Sequence, residues 1–105
     1  MHTDEFEISL YRELKICGNA IHRINKFLVR MEQKHGMRTE VFIEEYRNDK
    51  LANNLNHQSD YRAWEANYES LKRWQDLERQ YQERLRIMKI SGKSSSEERG
   101  NTEVT

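Results

Sequence analysis

From Leu10 onward the chain repeats an apolar residue at Leu14, Cys17, Ile21, Ile24, Leu28 and Met31. The steps alternate strictly between four and three, a period of about 3.5 residues. A helix brings all of these positions onto one side, whereas a strand would scatter them over both faces. No proline interrupts the pattern here or anywhere else in the 105 residues. The spacing predicts a helix over about 4–35. Phe6, Ala20 and Phe27 widen its apolar stripe. Asp4, Glu5 and Glu7 fall in the first turn, and Lys34 and His35 in the last, the arrangement that the helix dipole favours. Gly36 follows as a residue able to take positive φ.

A second stripe, Trp64, Tyr68, Leu71, Trp74, Leu77, Tyr81, Leu85 and Met88, predicts a helix over about 60–90. Ser59 or Asp60 can cap its start, and Ser91-Gly92 is the expected stop. Each helix would be about 46 Å long at the usual rise per residue. Matched length and charge predict antiparallel pairing. The acidic start of the first helix meets Arg84, Arg86, Lys89 and Lys93, and its basic end meets Asp60, Glu65 and Glu69. A register in which paired residue numbers sum to about 95 sets Ile24 against Leu71 and Met31 against Trp64. Gly18 then suits a close approach of the second helix, since glycine in a helix interior costs about 1 kcal/mol. Two helices form one interface and leave the other side of each stripe wet. The expected fold is therefore all-α, an antiparallel hairpin of two long helices that dimerises into a four-helix bundle.

The stretch 37–59 is far longer than a hairpin connection needs. Thr39 is the expected N-cap of a short helix over about 39–48 with Val41, Phe42, Ile43 and Tyr46 on its apolar side. Long connections often carry function. Phe42, Ile43, Tyr46 and Leu51 are thus the candidate partner-binding residues if they are exposed; the structural alternative is that they cap the end of the bundle. Asn53-Asn54-Leu55-Asn56 favours turns. Residues 91–105 form a polar tail without periodicity, expected to be disordered.

Composition excludes several classes. Lys+Arg and Asp+Glu both number 18, so the net charge is zero and gives no bulk drive toward nucleic acid. No apolar run approaches a membrane span. The first residues are acidic where a signal peptide is basic, and a single cysteine fits a reducing cytosol, so the expected location is cytoplasmic. Cys17 lies in the seam and reads as a buried structural thiol. Glu32 and His35 stand at the spacing of a carboxylate–His metal step, but they flank the seam and read as a solvated helix end. His2, His22 and His57 show no ligand spacing to one another. No phosphate loop, CxxC or nucleophile elbow is present, so no catalytic residue, metal or cofactor is expected. Arg12, Lys15, Arg23, Lys26, Arg30 and Lys34 form a basic outer stripe on the first helix, the basis of an alternative nucleic-acid-binding role.

Phe42-x3-Tyr46-x4-Leu51 followed by Asp60-Tyr61-x2-Trp64-x3-Tyr68-x2-Leu71 resembles small helical prokaryotic proteins encoded beside toxin-like partners. The resemblance covers about residues 36–75. It departs where the pattern has a Gly just before Leu51 and this chain has Asp49-Lys50. It implies an antitoxin-like subunit that binds a partner protein. The function expected from the sequence is thus a non-enzymatic protein-interaction module.

Overall fold

Helix α1 spans Glu5–His35, α2 spans Thr39–Arg47, a single 3-10 turn covers Leu55–His57, and α3 spans Gln58–Glu97. The computed structural model describes the backbone of residues 5–97 and the side chains of residues 5–90. Among the described residues the chain is all-helical around one long helix pair, with no strand. No helix among them is long and apolar enough to cross a membrane.

Helix ends follow from local chemistry. Gly36 takes φ +65°, and the N–H groups of Gly36 and Met37 both donate to the Glu32 carbonyl, at 2.8 and 3.2 Å. Glycine adopts this left-handed conformation at little cost, and α1 stops there as its sequence predicts. α2 ends in the same way without a glycine. Asp49 takes φ 60°, its N–H reaches the Tyr46 carbonyl, and Lys50 N–H reaches the Glu45 carbonyl at 2.9 Å. This pair of bonds is a Schellman closure, and aspartate is among the few side chains that tolerate it. Asp49 thus occupies the left-handed position that would otherwise call for glycine.

α3 departs from expectation. It continues to Glu97, past the stop expected at Ser91-Gly92. Glycine lowers helix propensity by about 1 kcal/mol but does not forbid the conformation, and no proline follows to break it. The rest of the expected tail, 98–105, lies outside the described residues.

The chain divides into two compact units. The first, Asn19–Gln75, holds the second half of α1, all of α2 and the start of α3. Its core is Ile24, Leu28, Met31, Phe42, Ile43, Leu51, Tyr61 and Trp64, with Phe27, Met37, Tyr46, Tyr68, Leu71 and Trp74 packed against it. Ile24, Leu71, Met31 and Trp64 all belong to this cluster. The second unit pairs α1 up to Gly18 with α3 from Asp76. Among the described residues there, only Leu10 and Cys17 are buried apolar residues. Leu14, Leu77, Tyr81, Leu85 and Met88 are half-buried. Lys89 Nζ stands 5.3 Å from the Tyr11 ring centre, and its bond to Tyr11 holds the ammonium above its usual pKa. Tyr11 with Lys89, and Cys17 within the field of Glu78, fix antiparallel helices in this unit.

Gly18 does not serve a close approach. A Cβ built on it would meet nothing within 4 Å.

Candidate functional site

The polar chemistry of the α2-containing unit gathers where α1 ends, α2 begins and α3 begins. Glu32, in the last turns of α1, directs one carboxylate oxygen at Thr39. Thr39 N–H donates to Glu32 Oε2 at 2.9 Å, and the Thr39 hydroxyl donates to the same atom at 2.8 Å. The Thr39 oxygen in turn accepts from Trp64 Nε1 at 3.1 Å. Thr39 is therefore not the N-cap that its sequence position suggests. Arg38 holds the cap position in extended backbone, with no side-chain bond, and Thr39 is the first helical residue. The orphan N–H groups at a helix start need acceptors, and a carboxylate from α1 satisfies one of them. The same chain of bonds lets a fully buried Trp keep its indole N–H paired.

Glu32 and His35 consequently do not act as one carboxylate–His pair. Glu32 serves the start of α2, and His35 turns to α3. His35 Nε2 lies 2.9 Å from Asp60 Oδ2, which also takes Lys34 Nζ at 2.7 Å. The basic end of α1 thus meets the acidic start of α3, a cross-helix charge match of the expected kind. The bonds from Lys34 and then His35 hold the Asp60 carboxyl below its usual pKa. His35 is nearly enclosed, its side chain 7% exposed. It stacks on Trp64 with ring centres 5.5 Å apart and meets the edge of His57 at 5.1 Å. Ligand atoms of His35, His57 and Asp60 all lie within 4.8 Å of one another.

Sequence reasoning passed over this trio. His57 and Asp60 stand at i, i+3, the spacing that puts two side chains on one helical face. His35 faces Asp60 in the same register that pairs Ile24 with Leu71. Both signals were present, but neither His35 nor His57 suggests the other without the fold.

The four residues expected to bind a partner are placed otherwise. Phe42, Ile43 and Leu51 are buried within the chain itself, and Tyr46 is half-buried. Phe42 stacks face to face on Trp64, with ring centres 3.9 Å apart and planes 2° from parallel. Tyr46 and Tyr61 close around that pair. The expectation of an exposed partner surface is corrected for Phe42, Ile43 and Leu51, because the side chains of α2 cover the hairpin core. Around them the Asn-rich stretch is tied down. Gln58 Nε2 donates to the Leu51 and Asn54 carbonyls, and Asn54 Nδ2 donates to the Tyr61 hydroxyl. Arg47 joins α2 to α3 by bonding Glu65 and Glu69. A cleft of about 360 Å³ lies beside this pair, lined by Tyr46, Arg47, Asp49, Ala52, Gln58 and Glu65.

The remaining candidates are simpler. Cys17 has no exposed surface, and burial, followed by the nearby Glu78 and Glu13, pushes its thiol pKa up. That is the environment of an inert structural thiol. On the outer face of α1, Arg12, Lys15, Arg23, Lys26 and Arg30 are exposed. The acidic neighbours expected for them on the second helix are not realised: among the described residues, only Lys34 of this stripe forms an ion pair. No protein-family model matches the chain, and no curated protein or solved structure is significantly similar to it.

Proposed function

We propose that the protein is a non-enzymatic interaction module that works as a homodimer, joined through the two-helix unit. One observation carries this reading. In that unit Leu14, Leu77, Tyr81, Leu85 and Met88 remain half-buried, over a core that among the described residues is only Leu10 and Cys17. Two helices cannot cover stripes this wide, and a core of this size contributes little stability by itself. A second copy offers the same stripes and completes a bundle of four. Charge permits the match. Residues 5–18 and 76–90 carry six acidic and six basic side chains, so two copies meet without net repulsion. The spaced aromatics that carry the antitoxin-like resemblance pack inside the chain, so the open seam is the surface on which the interaction role rests. Sedimentation equilibrium at micromolar concentration tests the proposal. The expected mass is twice 12.8 kDa, falling to the monomer when Leu77 and Leu85 are both replaced by Glu. A monomeric mass for the unaltered chain overturns it.

A second reading, nucleic-acid binding along α1, is favoured by the exposed Arg23, Lys26 and Arg30, none of which forms an ion pair among the described residues. Three unneutralised cations on one helix can contact phosphates, with an affinity that falls steeply with salt. Binding of RNA or DNA that is salt-sensitive and lost in the Lys26→Glu, Arg30→Glu double variant supports this reading. Its absence at low salt removes it.

A further inference from the structure

We infer that His35, His57 and Asp60 form a binding site for one divalent transition-metal ion of the zinc class. The donor set is two imidazoles and one carboxylate. Such ligands suit zinc, cobalt and nickel; calcium and magnesium favour shells made wholly of oxygen. Three protein ligands leave a further coordination position, and the half-buried Asp60 and exposed His57 leave it open to water.

The geometry is close to that of a metal shell. Ligand atoms bound at about 2.0–2.1 Å around a tetrahedral ion stand about 3.3 Å apart. His35 Nε2 and Asp60 Oδ2 are 2.9 Å apart, so they need to open only slightly to admit an ion. All three ligand atoms fall within 4.8 Å, so His57 has to close by about 1.5 Å at most. His57 is able to do so, because it is exposed and ends the 3-10 turn that precedes α3. His35 is the fixed member, held by burial and by its stack on Trp64. The ligands come from three places, the end of α1, the 3-10 turn and the first turn of α3. An ion there ties the long connection shut at its base.

Lys34 is the competitor. Its ammonium sits 2.7 Å from the Asp60 oxygen that the metal would take. The side chain is 55% exposed and can turn out into water. Metal and Lys34 therefore exclude each other at Asp60, and removing the lysine charge strengthens metal binding. This dependence distinguishes a metal site from a plain ion-pair cluster.

The test uses the full-length protein, stripped with chelator and titrated with Zn2+ and with Co2+. We expect one equivalent bound per chain, visible d–d absorption from the cobalt form, and a higher melting temperature with zinc. His57→Ala and Asp60→Asn weaken binding by at least about tenfold. Both sites are at the surface, so folding is checked by circular dichroism on the same samples. Lys34→Gln tightens binding. His22→Ala, a change at an exposed histidine about 20 Å along the same helix, leaves it unaltered. The proposal is overturned if the unaltered chain binds neither ion. It also fails if binding survives in His57→Ala and Asp60→Asn, or if Lys34→Gln weakens it.

Discussion

The two units use the same pair of helices and reach different degrees of burial. In Asn19–Gln75 the α1–α3 seam is covered by α2, and Phe42 and Trp64 lose all solvent contact. In the other unit the seam has no third element among the described residues. Leu14, Leu77, Tyr81, Leu85 and Met88 stay half-buried, and Tyr11, Ile16, Ile87 and Ile90 are 45–53% exposed. The difference teaches that a helical hairpin acquires a dry core only where something crosses it. Here the nine residues of α2 cross it, with Met37 and Leu51 beside them. Local stability therefore follows coverage rather than the strength of the repeat.

Mutations can break this contrast. The largest effect is expected from Phe42→Ala, which empties the face of Trp64 and costs about 3–5 kcal/mol in a buried core. Leu85→Ala, half-buried in the other unit, costs about 1 kcal/mol in a monomer. Urea unfolding of the two variants measures both. Equal costs would end the comparison as stated. A cost for Leu85→Ala that grows with protein concentration would sharpen it, because a second copy then covers the seam.

Thr39→Val comes next. It leaves the Trp64 indole N–H buried without its acceptor and removes a donor from Glu32. The expected loss is about 1–3 kcal/mol. A loss below about half a kcal/mol would show that the bond network adds little to the coverage by α2. Gly18→Ala acts in the opposite direction. Gly18 lies within α1 with open space where a Cβ would stand, so the substitution should stabilise by about 0.5–1 kcal/mol. A lower melting temperature would mean that something does approach that position.

The smallest effect is on acid stability. Asp60 has a folded pKa below its ordinary 3.8, held down by Lys34 and His35. Its contribution is present above the unfolded value and is lost as pH falls through the folded one. Melts recorded from neutral pH down to acid should therefore decline less steeply below about pH 4 in Asp60→Asn. An unchanged profile would remove Asp60 from the set of groups that make acid destabilising.

Much of this was legible before the fold. The strict repeat from Leu10 to Met31 marks α1, Gly36 marks its end, and Cys17 falls in the seam with no exposed surface. These are local signals, and period and turn chemistry report them directly. The reach of α3 beyond Ser91-Gly92 was not legible, because one glycine shifts a helix equilibrium without deciding it. The roles of Thr39 and Glu32 were hidden for another reason. Both residues have simple local readings, as a cap and as part of a solvated helix end, and tertiary bonds override each of them. Phe42, Ile43 and Leu51 could have faced outward or inward on sequence alone; the choice depends on where the connection lies once folded. The meeting of His35 with His57 is of the same kind, since the two are brought together by the intervening α2 segment.

Cys17 offers a clock for the less covered unit. It is the chain's sole thiol, it has no solvent contact, and its raised pKa keeps it protonated at neutral pH. An alkylating reagent reaches it only when the helices part, so the labelling rate at saturating reagent counts those openings. The molecule thus carries an internal gauge of breathing in its less covered unit.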